Sequence, residues 1–108
     1  MTDSGDLQFG LKPAVIDALR RVFEQFPEIA CVLLYGSRAK GNFRQGSDID
    51  LTVRLQPAAK EPSLLLSQIR ERLDDLNLIY TIDLSLYEQI KNPELLEHIN
   101  RVGVRLYG

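Results

Sequence analysis

The sequence is poor in the residue types that most often build metal, disulfide or nucleophile sites. Its 108 residues include one cysteine, one histidine, one methionine and no tryptophan. Cys31 has no partner for a disulfide within the chain, and its place in an apolar run is typical of core packing. His98 has no second histidine or cysteine at ligand spacing. Neither a zinc site nor a Ser-His-Asp arrangement is therefore supported, and we expect His98 to lie at the surface.

Long apolar runs and an excess of basic charge are also missing. No run approaches the roughly eighteen residues of a membrane span, which excludes that class of protein. A net charge of −2 and a pI near 5.3 argue against a general nucleic-acid-binding surface. No signal or transit sequence is visible, so we expect a cytoplasmic protein without membrane association. The apolar content of 44% and charged content of 26% are ordinary for a soluble globular domain.

The most informative segment is a paired motif in the first half of the chain. Gly36-Ser37 is followed, after a spacer of ten residues, by Asp48-Ile49-Asp50. In a chain of this length, Asp-x-Asp alone is expected about 0.4 times by chance, whereas the combination at this offset is expected roughly 0.002 times. The combination of Gly-Ser and Asp-x-Asp at this spacing is therefore informative about function, whereas either half alone would be weak evidence.

The Gly-Ser half of the motif has the features of a phosphate-binding turn. The apolar run 30–35 predicts a buried strand that ends at Gly36. Residues 37–41 can then form one helical turn, whose free backbone N–H groups and Ser37 hydroxyl can receive phosphate oxygens. Gly36 would let the backbone come close to such an anion.

The Asp-x-Asp half indicates a divalent cation. A strand over 48–55 places Asp48 and Asp50 on one face and Ile49 and Leu51 on the opposite, buried face. Two carboxylates aimed at one point repel each other unless a cation lies between them. The segment as a whole therefore predicts a nucleoside triphosphate held by metal.

Three cations, Arg38, Lys40 and Arg44, lie in the spacer of the motif, and no acidic residue occurs between Glu28 and Asp48. They can offset the charge of a bound triphosphate, which makes them candidate nucleotide-binding residues together with Gly36 and Ser37. A solvated basic loop explains them equally well.

The paired motif resembles the signature of the DNA polymerase beta type nucleotidyltransferase superfamily, and the small size resembles its minimal nucleotidyltransferase (MNT) branch. Residues 80–84, Tyr-Thr-Ile-Asp-Leu, resemble the strand that carries the third carboxylate in this family. Residues 99–107 resemble the end of such chains. The resemblance covers roughly residues 11 to 107, although only the Gly-Ser and Asp-x-Asp pieces are sharply diagnostic.

Asp83 is the candidate third carboxylate. Alternation over 78–86 places Asp83 on the more polar face of its strand, away from Leu84 and Leu86. If this strand pairs with the Asp48–Asp50 strand, the three carboxylates can converge, and two Mg²⁺ ions would supply the opposing charge. The alternative is a solvated aspartate on a half-exposed strand.

The resemblance implies a reaction and a partner. It implies that Asp48, Asp50 and Asp83 hold two Mg²⁺ ions and that AMP moves from ATP, or another NMP from its NTP, to a hydroxyl group. The implied acceptor is a tyrosine of a HEPN-domain toxin, for which the chain would be the antitoxin. The scaffold and triphosphate site use nearly the whole chain, so we expect another chain to supply the acceptor.

Two alternatives remain open at this stage. A binding module could hold a nucleotide without turning it over and neutralise its partner by occlusion. Transfer to a small hydroxyl compound would require two chains that share one site, and thus a homo-oligomer.

The remaining pattern predicts one compact domain over residues 11–108 after a flexible tail over residues 1–10. Helices are expected from Pro13 to about Pro27, over 63–76 with Ser63 as the cap, and over 93–102. A last short strand is expected over 104–107. This order predicts an α/β (α+β) fold of the nucleotidyltransferase type, a small mixed sheet with helices packed on one face. The strands around the Gly-Ser loop should be antiparallel, and those around the second helix parallel.

Overall fold

A four-stranded mixed sheet organises the chain in the computed structural model, which describes residues 7–108. Four helices and four strands are present in this part of the chain, together with a short 3-10 turn at Tyr87–Gln89. In chain order the elements are α1 (Pro13–Glu24), β1 (Ile29–Tyr35), α2 (Ser37–Lys40), β2 (Ile49–Leu55), α3 (Pro62–Asp74), β3 (Ile82–Leu86), α4 (Pro93–Val102) and β4 (Val104–Tyr107).

The strand order is β3-β2-β1-β4, so β2 and β1 are the two central strands. β1 runs antiparallel to both β2 and β4. β2 and β3 are parallel, and α3 forms the crossover between them. The predicted mixed α/β fold of the nucleotidyltransferase type and both predicted strand directions are confirmed. The helices do not all pack on one face, however, because α4 lies against the face that carries Tyr35.

Helices α1 and α3 pack on one face of the sheet and enclose the main hydrophobic core. Their apolar stripes meet the alternate residues of the central strands that point to this face. The fully buried residues of this core include Ile16, Leu19 and Phe23 of α1, Val32 and Leu34 of β1, Ile49, Leu51 and Val53 of β2, and Ile69 of α3. Within residues 7–108, no helix combines the length and the apolar character that a membrane crossing requires.

Helix α4 contacts the other side of the sheet, where the polar residues of the central strands point. Its Ile99 is buried, and its His98 lies beside the ring of Tyr35, the last residue of β1. Tyr35 is paired with Asp50 across β1 and β2, and directly paired residues project to the same face of a sheet. Helix α4 therefore borders the face that carries the aspartates.

An arginine from each core-side helix donates a hydrogen bond to one of the two edge strands. Arg20 Nε of α1 donates to the carbonyl oxygen of Leu106 in β4, at 2.8 Å. Arg70 Nη2 of α3 donates to the carbonyl oxygen of Leu84 in β3, at 3.1 Å. Each edge strand thus has one of its carbonyl groups occupied by a helix side chain.

Two predicted element boundaries are wrong. β3 begins at Ile82 rather than Leu78, because β2 begins at Ile49, its register partner, and offers no pairing to earlier residues. Helix α3 begins at Pro62, and Ser63 does not cap it. Pro favours the first helical position, so Glu61 precedes the helix instead, with φ 50° and no side-chain hydrogen bond to the helix end.

The predicted tail reaches into the described part of the chain. Residues 1–6 lie outside the described residues. Gln8 and Leu11 exchange two backbone hydrogen bonds of 3.0 and 2.8 Å, and Leu11 is fully buried in the core. Phe9 packs against the same core. The segment before α1 therefore contacts the core through Phe9 and Leu11.

Candidate active site

Three polar side chains form a row across the sheet because of the register of its strands. The antiparallel register pairs Tyr35 of β1 with Asp50 of β2, and the parallel register pairs Asp50 with Asp83 of β3. Paired residues project to the same face, so Tyr35, Asp50 and Asp83 lie side by side, opposite the core residues Ile49 and Leu51. The structure thus brings two of the three predicted carboxylates together.

Burial and charge repulsion both disfavour the ionised forms of the side chains in this row. Burial raises the pKa of Asp50 above its ordinary value, and repulsion from Asp83 and then Asp48 raises it further, while His98 acts in the opposite direction. Burial likewise raises the pKa of Tyr35; the nearby Asp83 and Asp50 add to this effect, and a hydrogen bond with Ser85 partly offsets it. Tyr35 is therefore a neutral phenol at physiological pH.

Asp48 precedes β2 and is exposed, so it lies at the rim of the row rather than within the sheet. Within residues 7–108, no three His, Cys, Asp or Glu side chains lie close enough together to form a complete metal site. The chemistry of the donors nevertheless fits a hard divalent cation, since Asp50 and Asp83 are paired carboxylates whose mutual repulsion such an ion would relieve.

The Gly-Ser turn touches the row directly. Gly36 has φ 78°, and a Cβ atom at this position would overlap with Asp50 Oδ2. Both the backbone conformation and the space therefore require glycine. Ser37 is the first residue of α2, and the carbonyl oxygen of Gly36 accepts a hydrogen bond from Lys40 N at 3.1 Å. The predicted proximity of the turn to the carboxylates is present in the structure.

The three predicted cations have different environments. Lys40 and Arg44 are exposed. Arg38, by contrast, is only 2% exposed, and all three of its guanidinium nitrogens donate to backbone carbonyls. Nε and Nη2 bond to Ser47 O at 3.1 and 2.9 Å, and Nη1 bonds to Phe9 O at 2.8 Å.

Arg38 is therefore neither the solvated cation nor the free phosphate ligand that the sequence suggested. Its guanidinium also lies 5.2 Å from the ring centroid of Phe43 and 5.0 Å from that of Tyr80. Because Ser47 directly precedes Asp48, Arg38 connects α2 to the start of the Asp-x-Asp strand. The spacing of the motif could not reveal this role, since it depends on where the backbone of residues 9 and 47 lies in three dimensions.

Two residues of the site were missed by the sequence reasoning. His98, expected at the surface, is only half-exposed, and its Nε2 accepts a hydrogen bond from Gly36 N at 3.1 Å. Tyr35 was assigned to the apolar run. Alternation in β1 was the available signal for Tyr35, because it places this residue on the face opposite Val32 and Leu34. Nothing local in the sequence predicts how α4 brings His98 to the turn.

Replacement of Asp50 by Asn tests the repulsion within the row. A raised pKa means that the folded protein holds the Asp50 proton more tightly than the unfolded chain does. Stability is therefore lost as the pH rises from the ordinary carboxyl pKa of 3.8 through the raised value of the folded state. We expect Asp50→Asn to have an equal or higher melting temperature than the wild type at pH 7, and the difference to shrink as the pH falls through this window.

The control is Asp17→Asn on the exposed side of α1. If this variant and Asp50→Asn change the melting temperature alike at every pH, the carboxylates of the row do not repel each other as described.

Replacement of Arg38 by Lys tests its structural role. Lys keeps the charge but cannot reach Ser47 O and Phe9 O together, so the free energy of unfolding should fall by about 1.5–3 kcal/mol, as for lost hydrogen bonds to a charged group. Arg44→Lys, at an exposed position, should change it by less than about 0.5 kcal/mol. Urea denaturation of the nucleotide-free proteins measures both. Equal stability of Arg38→Lys and wild type would show that the guanidinium contacts do not support the fold.

Comparison with known proteins agrees with this architecture. A family model described as polymerase beta, nucleotidyltransferase matches residues 17–108. Among curated proteins, no significant sequence match is found.

Solved structures with this fold include three toxin–antitoxin complexes. A toxin–antitoxin complex with AMP-PNP has 19% identity and a TM-score of 0.65, over 86% of this chain and 73% of that one. The MntA–HepT toxin–antitoxin complex has 15% identity and a TM-score of 0.61, over 90% and 73%. A tri-AMPylated Shewanella oneidensis HEPN toxin in complex with its MNT antitoxin has 15% identity and a TM-score of 0.59, over 88% and 71%.

The family model covers far more than half of the chain, and it includes the turn and all three aspartates. The resemblance noted in the sequence is thus confirmed at the level of the family and its fold. The chain belongs to the polymerase beta nucleotidyltransferase family.

Proposed function

We propose that the chain transfers AMP from ATP to a hydroxyl group of a partner protein, a tyrosine of a HEPN-type toxin, and thereby acts as the antitoxin. The observation that carries the proposal is the close contact between Gly36 and Asp50. Asp50 in turn is paired with Asp83 on the neighbouring strand. A phosphate-receiving turn beside paired carboxylates can hold a triphosphate at one end and its reacting phosphorus near the other.

The partner and the nucleotide are inferred from proteins of the same fold. One of these complexes contains AMP-PNP, and another contains an AMPylated HEPN toxin. In this chain, the proposed triphosphate site consists of Gly36, Ser37 and the aspartates. These similarities support ATP as the donor and a toxin side chain as the acceptor.

The proposed reaction is a single displacement. The acceptor oxygen attacks the α-phosphorus of ATP and forms a new O–P bond, while the bond from that phosphorus to the bridging oxygen breaks and pyrophosphate leaves with the electron pair. The acceptor proton passes to a carboxylate, for which exposed Asp83 is the candidate. No covalent intermediate with the chain is needed, because placement and charge neutralisation supply the catalysis.

Each group of the chain has a defined task in this proposal. Gly36 and Ser37 receive the distal phosphates through backbone N–H groups and the Ser37 hydroxyl, and exposed Lys40 and Arg44 offset phosphate charge. Asp48, Asp50 and Asp83 would hold two Mg²⁺ ions, which supply charge neutralisation at the phosphates and acidify the attacking hydroxyl when bound. The repulsion among the three carboxylates favours the uptake of such cations.

One observation favours the alternative of an occluding binder. Asp48 is exposed and does not complete a three-carboxylate site within the described residues. A chain that binds nucleotide but leaves its carboxylates apart could block a toxin by contact alone, without transfer. The two functions differ in whether protection depends on the aspartates.

Replacement of Ser37 by Ala tests the phosphate turn. The loss of a hydrogen bond to a charged phosphate should weaken Mg-ATP binding by about 1.5–3 kcal/mol without unfolding the chain, since the core lies on the other face of the sheet. Isothermal titration calorimetry measures the affinity, and Ser67→Ala on the exposed side of α3 is the matched control. Equal affinities of Ser37→Ala and the control would remove Ser37 from the nucleotide site.

Labelled ATP separates transfer from occlusion. With Mg²⁺ and the partner toxin, label from the α-phosphate should become covalently attached to the partner, whereas label from the γ-phosphate should leave with pyrophosphate. Asp48→Asn and Asp50→Asn should abolish the attachment, and Asp74→Asn on α3 should not. Mass spectrometry of the partner would locate the modified residue.

The same variants are then tested in cells that produce the toxin. An enzyme loses protection in Asp48→Asn, while an occluding binder keeps it because its docking surface is unchanged. Full protection by Asp48→Asn, with an unmodified partner, would reject the catalytic function and leave occlusion.

A further inference from the structure

His98 links helix α4 to the Gly-Ser turn. Its Nε2 accepts a hydrogen bond of 3.1 Å from the backbone N–H of Gly36, 62 residues earlier in the chain. Its ring also meets the ring of Tyr35 edge-on, with centroids 6.2 Å apart and an interplanar angle of 79°. The imidazole is thus held against both residues that connect β1 to the turn.

The position of His98 is set by α4 and not by the turn itself. Asn92 caps the helix through its side-chain oxygen, which accepts from Glu94 N and Leu95 N at 2.9 and 3.3 Å. Ile99, the next residue after His98, is only 1% exposed and anchors the middle of the helix. Asn100 accepts a hydrogen bond of 2.9 Å from the Tyr87 hydroxyl. The imidazole therefore has a fixed support that is independent of Gly36.

The contact fixes the protonation pattern of the ring. Gly36 N–H is the donor, so Nε2 must present its lone pair and the proton of the neutral ring lies on Nδ1. Gly36 precedes α2 and has φ 78°, so its N–H lies outside the hydrogen bonds of that helical turn. The imidazole satisfies this group, and rotation of the Gly36 peptide would break the bond.

We propose that His98 is a positioning residue for the triphosphate-binding turn. It acts through Gly36 and holds the backbone so that the N–H groups and hydroxyl of Ser37 face the phosphates, without itself contacting the nucleotide. The inference rests on the proposed function, because a turn that binds no phosphate needs no such positioning. It adds a residue from the last helix to a site whose other residues lie between the end of β1 and β3.

The test uses two substitutions that separate the acceptor from the ring. His98→Phe keeps an aromatic ring beside Tyr35 but has no acceptor for Gly36 N–H. His98→Gln loses the ring but carries an oxygen at about the reach of Nε2. Glu97→Gln, on the exposed neighbouring position of α4, is the control for the helix. We expect Mg-ATP affinity to fall about threefold to tenfold in His98→Phe, as for the loss of one neutral hydrogen bond, and to be largely restored in His98→Gln.

A second readout does not depend on nucleotide. In ¹⁵N nuclear magnetic resonance spectra of the nucleotide-free protein, His98 should show its proton on Nδ1, and the Gly36 amide signal should shift in His98→Phe but much less in His98→Gln. Thermal melting of the same samples confirms that each variant is folded. If His98→Phe does not fold, the pair His98→Gln and His98→Asn serves instead, since the Asn oxygen falls short of the Nε2 position and should lose affinity.

The outcomes distinguish this inference from the proposed function. Wild-type protein that binds no Mg-ATP would overturn both. Wild-type binding with equal affinity in folded His98→Phe, or a His98 proton found on Nε2, would overturn the positioning role and leave the proposed function standing. Weakened binding in His98→Phe that His98→Gln does not restore would show that an acceptor at this position is not enough to hold the turn, and it would reject the positioning role of the acceptor.

Discussion

The register of β2 is the constraint on which the candidate site depends. Side chains of a strand alternate between faces, so a slip of one residue against either neighbour would turn Asp50 into the apolar core and Leu51 out of it. Both neighbours resist such a slip, since β2 is paired on both sides, antiparallel with β1 and parallel with β3. The burial of Ile49, Leu51 and Val53 thus stabilises the domain and, at the same time, aims the carboxylate at the Gly36 turn.

This coupling explains why part of the site was predictable from the sequence. The alternation of apolar and polar residues in two strands is a local pattern, and it correctly places Asp50 and Asp83 on a shared face. The short loop and the crossover helix then determine which strands are neighbours, and so bring the two aspartates together. The close approach of Gly36 follows from the same arrangement, because the residue after β1 lies next to the strand that β1 pairs with.

The unpredicted part of the site rests on contacts between distant segments. Arg38 looks like a phosphate ligand in the sequence because it follows Ser37, but its partners are backbone carbonyls whose positions no spacing rule gives. His98 reaches Gly36 only because α4 docks at the polar side of the sheet, and docking depends on tertiary packing rather than on helix periodicity. β3 is shorter than its alternating pattern because a strand needs a partner at each residue, which the pattern cannot show.

The two arginine contacts at the edge strands restrict how the domain can meet another chain. An exposed edge is the usual template for the addition of a further strand, whether from a partner or from a second copy in an aggregate. Here, the incoming backbone would have to displace Arg20 from Leu106 on one side or Arg70 from Leu84 on the other. Both arginines belong to the helices that cover the core, so a strand added at either edge would compete with a side chain of the domain for a backbone carbonyl. Each sheet edge is thus partly occupied by a side chain of the same domain.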